Sequence, residues 1–322
     1  MIETFLAIIN PAAGGGRCHD LVGPTLARLQ SAGIAIETAE TAAGGDATRI
    51  AREAYRRGFR RFLAVGGDGT SYEIVNGLFP DCLAAVSSNS TAESASSSGE
   101  SERIPTLGFL PLGTGNSFLR DFGDPKAADR GLEHAMRAIE ARQTRACDVL
   151  RLTHKAGVLY YINLASVGFA ADVAALRHRT FLGFGHAGYL ASIFLSLARL
   201  KRRPFPVRVS ERDEFDRRPC LFLTFSNSKF TGGTMMIAPD ARTDDGLIEY
   251  VRWGPIGRLG LILNLPTLYD GTHTRHPMAE RQAVPRVEFQ LDAPVDVMVD
   301  GEVMQLECRA IEVLPSVLRV VV

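Results

Sequence analysis

The chain has 322 residues, 46% of them hydrophobic and 22% charged, and its 36 lysines plus arginines balance 36 aspartates plus glutamates. That length favours two packed domains, the composition excludes a disordered chain, and the zero net charge excludes a global field for nucleic acid. Any charged partner must be met locally.

The first half alternates short apolar runs with helical segments: Phe5 to Ile9, a helix over 18–32, Ile34 to Thr38, a helix over 46–57, and Phe62 to Val65. This rhythm predicts βαβ units and a parallel sheet. A helical stretch from Tyr72 to Leu78 follows, then a serine-rich segment at 87–103 expected to be a mobile surface loop. Leu107 to Leu110 reads as the next buried strand, with helical segments at 117–122 and 126–141 behind it. From about residue 147 the pattern becomes strand-like: Val149 to Leu152, Val158 to Ala165, Val207 to Val209, Cys220 to Phe225, Leu247 to Val251, Arg286 to Leu291, Val295 to Val299 and Ala310 to Leu314. Many short strands with turns between them predict a β-sandwich, interrupted by a long helical region over about 185–201. The final run, Leu318 to Val322, is a strand able to pair with either domain. The expected division is an α/β domain over 1–145, to which 316–322 can return, and a β-sandwich domain over 146–315.

Five scattered cysteines form no CxxC spacing, which argues for a reducing compartment rather than a zinc site or disulfide framework. The first residues do not read as a signal peptide, and no apolar run approaches membrane-spanning length. A soluble, cytoplasmic protein is expected.

Three glycine loops carry the chemistry. Asn10-Pro11-Ala12-Ala13-Gly14-Gly15-Gly16-Arg17 follows the first strand and opens the first helix, where backbone N–H groups can approach an anion. It has neither the dinucleotide fingerprint nor a Walker lysine, and a plain βα turn is the competing reading. Gly66-Gly67-Asp68-Gly69-Thr70 places a carboxylate at a strand mouth, where open α/β sheets bind ligands. Phosphates would repel Asp68, so it suits magnesium, its waters or a hydroxyl; a turn or helix cap is the alternative. Pro111-Leu112-Gly113-Thr114-Gly115-Asn116-Ser117 repeats the strand–loop–helix arrangement. In the β-rich half, the 239–247 loop joins Asp240, Asp244 and Asp245 to Gly246, as either a hairpin turn or a hard-cation site. Val299-Asp300-Gly301-Glu302 is either a turn or a carboxylate presented for proton transfer.

Together, NPAAGGGR, TAAGGDA at 41–47, GGDGT, PLGTGNSFLRDFG, SVGFAADV at 166–173, SNSKFTGGTMMIAPDARTDDGLIEYV at 226–251 and VDGE resemble the diacylglycerol kinase catalytic-domain family, which includes bacterial soluble lipid kinases and sphingosine and ceramide kinases. The resemblance spans nearly the whole chain. It implies a nucleotide-binding α/β domain, a carboxyl-terminal β-sandwich domain and an active site in the cleft between them. It also implies an ATP site lined by Asn10, Pro11, Ala12, Ala13, Gly14, Thr41, Gly66, Gly67, Asp68, Gly69, Thr70, Ser71, Tyr72 and Thr114, with Asp68 in a magnesium network. The family's Mg2+ site would fall on Asp245 and the carbonyls of Arg242 and Leu247, and its general base on Asp300 or Glu302. One departure stands out, since Ser117 occupies a place where the family commonly has Asp.

The implied reaction is transfer of the γ-phosphoryl of ATP to a lipid hydroxyl, on diacylglycerol or a sphingoid-like acceptor. A kinase of a soluble acceptor such as NAD, and a non-catalytic nucleotide or lipid sensor, are the alternatives. Arg177, His178, Arg179, Arg199, Lys201, Arg202 and Arg203 bracket an apolar stretch, either an interfacial helix touching the inner membrane face or a core helix with solvated basic ends. A homodimer is a further expectation.

Overall fold

The computed structural model describes residues 4–79, 81–83, 104–123, 131–181, 192, 195–209 and 214–322. The expected surface loop at 87–103, the start of the expected helix at 126–141 and most of the 185–201 region lie outside the described residues. The chain divides into two compact units, Met1–Val149 with Pro315–Val322, and Leu150–Leu314.

In the first unit, β1 (Phe5–Ile9), β2 (Ile36–Glu40), β3 (Arg61–Gly66) and β4 (Thr106–Pro111) form a parallel sheet in the order β2-β1-β3-β4. The end of the carboxyl-terminal strand (Cys308–Val321) adds beside β4, also parallel, with Arg319 opposite Thr106 and Val321 opposite Gly108. Helices α1 (Arg17–Ser31) and α4 (Gly131–Glu140) cover one face, where Leu26, Leu29, Met136 and Ile139 pack on Phe5, Ala7, Ile9, Leu63 and Val65. The strand residues of opposite parity, Leu6, Ile8, Phe62 and Ala64, are buried too, as in a parallel sheet covered on both sides. Helices α2 (Asp46–Arg56) and α3 (Asp68–Leu78) lie against β1 and β3 and touch each other at Gly77, where a Cβ would come 2.8 Å from that of Ala51. Helix α3 starts four residues earlier than the apolar pattern suggests. Its glycine-bearing first turn, Asp68-Gly69-Thr70, reads as loop in sequence, yet it folds as helix directly from the Gly67 N-cap.

In the second unit, β7 (Leu164–Gly168), β9 (Phe222–Ser226), β10 (Ile248–Trp253), β11 (Ala279–Val284), β13 (Val295–Val299) and β14 (Glu302–Leu306) form an antiparallel sheet in the order β11-β10-β9-β7-β13-β14. A second layer contains the end of β5 (Thr144–His154) paired with β6 (Gly157–Tyr161), and β12 (Arg286–Phe289) between β8 (Val207–Val209) and the start of the carboxyl-terminal strand. The layers meet where Phe225 of β9 packs edge-on against Phe289 of β12, ring centroids 5.1 Å apart, and where the Tyr161 hydroxyl donates to the Phe225 carbonyl at 3.2 Å. The other face of the six-stranded sheet is covered by α5 (Phe169–Leu176), α6 (Arg258–Asn264) and α7 (Thr267–Asp270) through Phe222, Trp253, Leu261 and Leu268.

Three departures from the sequence pattern have physical causes. The expected strand Val158 to Ala165 is two strands, because the N–H groups of Ile162, Asn163 and Leu164 turn to the Asp300 carboxylate. Ala310 to Leu314 and Leu318 to Val322 belong to one strand, continued through Pro315 and a Ser316 at φ 55°. Helices α6 and α7 are unsignalled because, at 7 and 4 residues, they span at most two turns, too short for a period to show.

Candidate active site

The strand order places the ends of β1, β3 and β4 side by side, so the three glycine loops share one edge of the first unit's sheet. They are locked by backbone. Asn10 N–H donates to the Val65 carbonyl at 2.9 Å, and Gly113 N–H to the Gly66 carbonyl at 2.7 Å. A Cβ on Gly113 would lie 2.5 Å from the Gly67 Cα, and one on Gly14 would lie 2.5 Å from the Leu112 carbonyl oxygen. These are backbone atoms with nowhere to go, so glycine is required for the loops to touch. Thr41, at the end of neighbouring β2, donates both its N–H (2.9 Å) and its hydroxyl (3.3 Å) to the Ile9 carbonyl.

Within the first loop, the Asn10 side chain accepts Ala12 N–H at 3.2 Å and its carbonyl accepts Ala13 N–H at 3.1 Å, closing a turn around Pro11. Gly14, Gly15 and Gly16 then run in left-handed conformation with φ of 64°, 69° and 96°. Helix α1 starts at the Gly16 N-cap and α3 at the Gly67 N-cap, and neither has a side-chain cap, although the first N–H of α1, that of Arg17, goes to the Ala13 carbonyl. Uncapped positive helix ends suit an anion. A cleft of about 880 Å³ in the same unit borders the third loop and carries Arg17, Arg120, His134 and Arg137, a basic lining for a phosphorylated ligand. It touches the first and third loops but not Gly66 to Tyr72.

Asp68 ties the second loop to the third. Its two oxygens accept Ser117 N–H at 2.9 and 3.0 Å, with further bonds from the Ser117 hydroxyl and Phe118 N–H, at the start of a short 3-10 turn, Phe118–Asp121. Enclosure by the loops pushes its carboxyl above the usual range, outweighing those donors, which pull it down. Thus the Ser117 that departs from the family pattern supplies a donor to Asp68 where an aspartate would set a second carboxylate. Ser71 hydroxyl donates to the Asp68 carbonyl at 2.9 Å, and the Tyr72 carbonyl accepts the Asn76 side-chain amide at 2.9 Å, so both stabilise the first turns of α3. Gly69 lies in the same turn, and Thr114 sits between Gly113 and Gly115 opposite Gly67. Thr70 is different: it is buried, and its hydroxyl has no hydrogen-bond partner among the described residues. An orphaned hydroxyl beside Gly66 fits a site completed by a ligand.

Sequence reasoning missed Glu73. From α3 it accepts Gly45 N–H at 2.9 Å and Ala47 N–H at 3.0 Å, capping α2 and holding the 41–47 loop against the GGDGT helix. The available signal was its place on the helix turn after Thr70, once the helix is started at Asp68.

In the second unit, Asp300 and Gly301 form the two-residue turn between β13 and β14, both with positive φ (48° and 91°). The Asp300 carboxylate, 4% exposed, accepts the N–H groups of Ile162 and Asn163 at 3.1 Å and Leu164 at 3.0 Å. Glu302, directly after the turn, is exposed. The turn and the carboxylate readings of VDGE therefore coexist in one structure. In the 239–247 loop, Asp245 is exposed and accepts Leu247 N–H at 3.0 Å around Gly246 at φ 71°, while Arg242 lies 3.5 Å from Asp244. Asp240 and Glu249 both pair with Arg281. Among the described residues no three His, Cys, Asp or Glu side chains gather as a metal cluster. A carboxylate with main-chain carbonyls is nonetheless a hard-oxygen donor set, the type that magnesium prefers.

Residues 4–152 match the family model described as the diacylglycerol kinase catalytic domain, and residues 163–322 match that of the YegS C-terminal NAD kinase beta sandwich-like domain. A "Probable lipid kinase YegS-like" of Chromohalobacter salexigens is 31% identical across 93% of this chain and 86% of its own length. A "Diacylglycerol kinase" of Bacillus subtilis is 28% identical across 96% of this chain and 95% of its own. The crystal structure of a diacylglycerol kinase from Bacillus anthracis superposes with a TM-score of 0.65 at 18% identity, covering 99% of this chain and 96% of that one. The α/β unit with its parallel sheet and the β-sandwich-like unit are thus those of known kinases, and the chain belongs to the lipid kinase family defined by the diacylglycerol kinase catalytic domain.

Proposed function

We propose that the protein is an ATP- and magnesium-dependent lipid kinase that transfers the γ-phosphoryl of ATP to the hydroxyl of diacylglycerol or a sphingoid-like acceptor. The observation that carries this reading is the three-loop edge of the first unit, where glycine backbones, two uncapped helix ends and the orphaned Thr70 hydroxyl converge. There the N–H groups of Gly14 and Gly15 and those at the start of α3 hold phosphate oxygens. Thr70 gives the nucleotide its hydroxyl, and Asp68 keeps the second and third loops in register. Arg17, Arg120 and Arg137 raise the local anion concentration.

In the second unit, Asp245 with the carbonyls of Arg242 and Leu247 would hold magnesium. When bound, the ion neutralises phosphate charge and orients the transferring group. Glu302 takes the acceptor proton, because both Asp300 oxygens are engaged by backbone donors that a proton would displace. The protein acts from the cytoplasm as a peripheral enzyme at the inner membrane face. In support, no helix among the described residues is long and apolar enough to cross a membrane, and all five cysteines are free.

The test is transfer of labelled phosphate from ATP to a panel of diacylglycerol, sphingoid base and NAD, with and without magnesium. Transfer to a lipid, abolished in Glu302→Gln without loss of fold, is the expected result. Transfer to NAD alone, or ATP binding without any transfer, would overturn it.

A further inference from the structure

Helix α6 is apolar on both sides. Leu261 points into the core with Leu197, Trp253 and Leu268, and Leu200 and Leu265 pack on the same cluster. On the opposite side Leu259, Ile262 and Leu263, spaced i, i+3 and i+4, are 70%, 47% and 69% exposed. Later in the chain Tyr269 and Met278 are 52% and 42% exposed. A helix hydrophobic all round is normally covered, and exposed apolar patches of this kind mark contact surfaces.

What covers it is indicated by charge. The Arg258 guanidinium donates to the Leu197 and Ala198 carbonyls at 3.1 and 2.8 Å, fixing α6 beside the 195–200 segment. There Arg199, Lys201 and Arg202 are exposed; none lies within ion-pair distance of a carboxylate among the described residues, although the Lys201 charge acts on Asp172. By contrast, Arg179 and Arg203, which bracket the same apolar stretch in sequence, are engaged with Asp296 and Asp172, both at 2.6 Å. Between residues 254 and 278 the sequence has one acid, Asp270, and its carboxylate is folded back onto the Thr272 N–H (2.9 Å) and hydroxyl (2.6 Å). The face is therefore apolar at its centre with cations beside it, and Asp172 and Asp270 are already engaged by Arg203 and Thr272. A second copy meeting it about a two-fold axis would bring like charges together. An anionic bilayer meets the apolar and the cationic demand at once.

We propose that the face of Leu259, Ile262 and Leu263, with Arg199, Lys201 and Arg202 on the segment held beside it, docks on an anionic lipid surface. It rests on the lipid-acceptor reading above and identifies the surface by which that acceptor is reached. The apolar side chains enter the acyl boundary while the cations stay at headgroup level.

The test is co-sedimentation of the whole protein with vesicles of phosphatidylcholine alone, or with about 30% phosphatidylglycerol, across a salt series and without ATP. The proposal expects binding to the anionic vesicles that weakens with salt. It falls about tenfold or more in Leu259→Ser/Ile262→Ser/Leu263→Ser, and Arg199→Glu/Arg202→Glu removes the preference for phosphatidylglycerol. These positions are exposed, so the fold is retained. Wild-type protein that binds neither vesicle, or a triple serine variant that binds as wild type, overturns the proposal. So does a triple variant that turns a dimer into a monomer with vesicle binding unchanged, since the face then belongs to a second copy. Because no nucleotide is present, failure of phosphoryl transfer leaves this result standing, and loss of vesicle binding leaves transfer to a detergent-dispersed lipid unaffected.

Discussion

Asp68 and Asp300 each belong to an Asp-Gly step after a strand, and each gathers backbone N–H groups from a segment far away in sequence. Their surroundings separate them. Asp300 is sealed and serves three donors at 162–164, whereas Asp68, half-buried as a residue but with its carboxylate enclosed, serves the third loop beside an orphaned hydroxyl and two helix ends without side-chain caps. The same chemistry thus secures a core turn in one unit and the shape of a ligand edge in the other. An acidic residue in a glycine loop can act by positioning backbone, without meeting the ligand itself.

Asp300→Ala strands three buried N–H groups and should destabilise the protein by about 3–5 kcal/mol in urea unfolding. A loss below about 1 kcal/mol would mean that water replaces the carboxylate. Next comes Gly113→Ala, where the new Cβ meets the Gly67 backbone; about 2–3 kcal/mol of overpacking and a loss of ATP binding measured by calorimetry are expected. Asp68→Asn probes pH. Its folded carboxyl is raised by burial, so the folded state holds the proton more tightly than the unfolded one. Stability should therefore be greatest at or below the usual carboxylate range and fall as pH rises through the elevated value. The melting temperature of the asparagine variant should lose that slope above the usual carboxylate range. Ser117→Ala removes one donor to Asp68 and should cost about 1 kcal/mol. Smallest for the fold is Thr70→Val, expected within about 0.5 kcal/mol of wild type because no bond is lost, while ATP affinity drops several-fold.

Much of the first unit is legible because its signals are local. Strand–glycine–helix succession at Ile9, Gly66 and Pro111 gives the parallel sheet and its ligand edge directly. The Asp68–Ser117 tie and the Glu73 cap on α2 are not legible, since they depend on which loops the strand order makes neighbours. In the second unit the turn at Asp300-Gly301 is readable from two residues, but its three donors at 162–164 split an apparently continuous strand and leave no local trace. The α6 face was hidden for another reason. A helix of 7 residues is too short for its apolar spacing to stand out, and which of its leucines are covered depends on the sheet it packs on.

The strand that closes the first unit's sheet carries a consequence for how the protein can be divided. Because Arg319 to Val321 pair with Thr106 to Gly108, a fragment cut after residue 149 lacks one strand and leaves the β4 edge bare. Such an edge, flat and lined by Leu107 and Phe109, invites pairing between copies. A soluble nucleotide-binding fragment would need the 315–322 segment spliced back through a linker, and during synthesis the sheet must wait for its last strand until the second unit has been made.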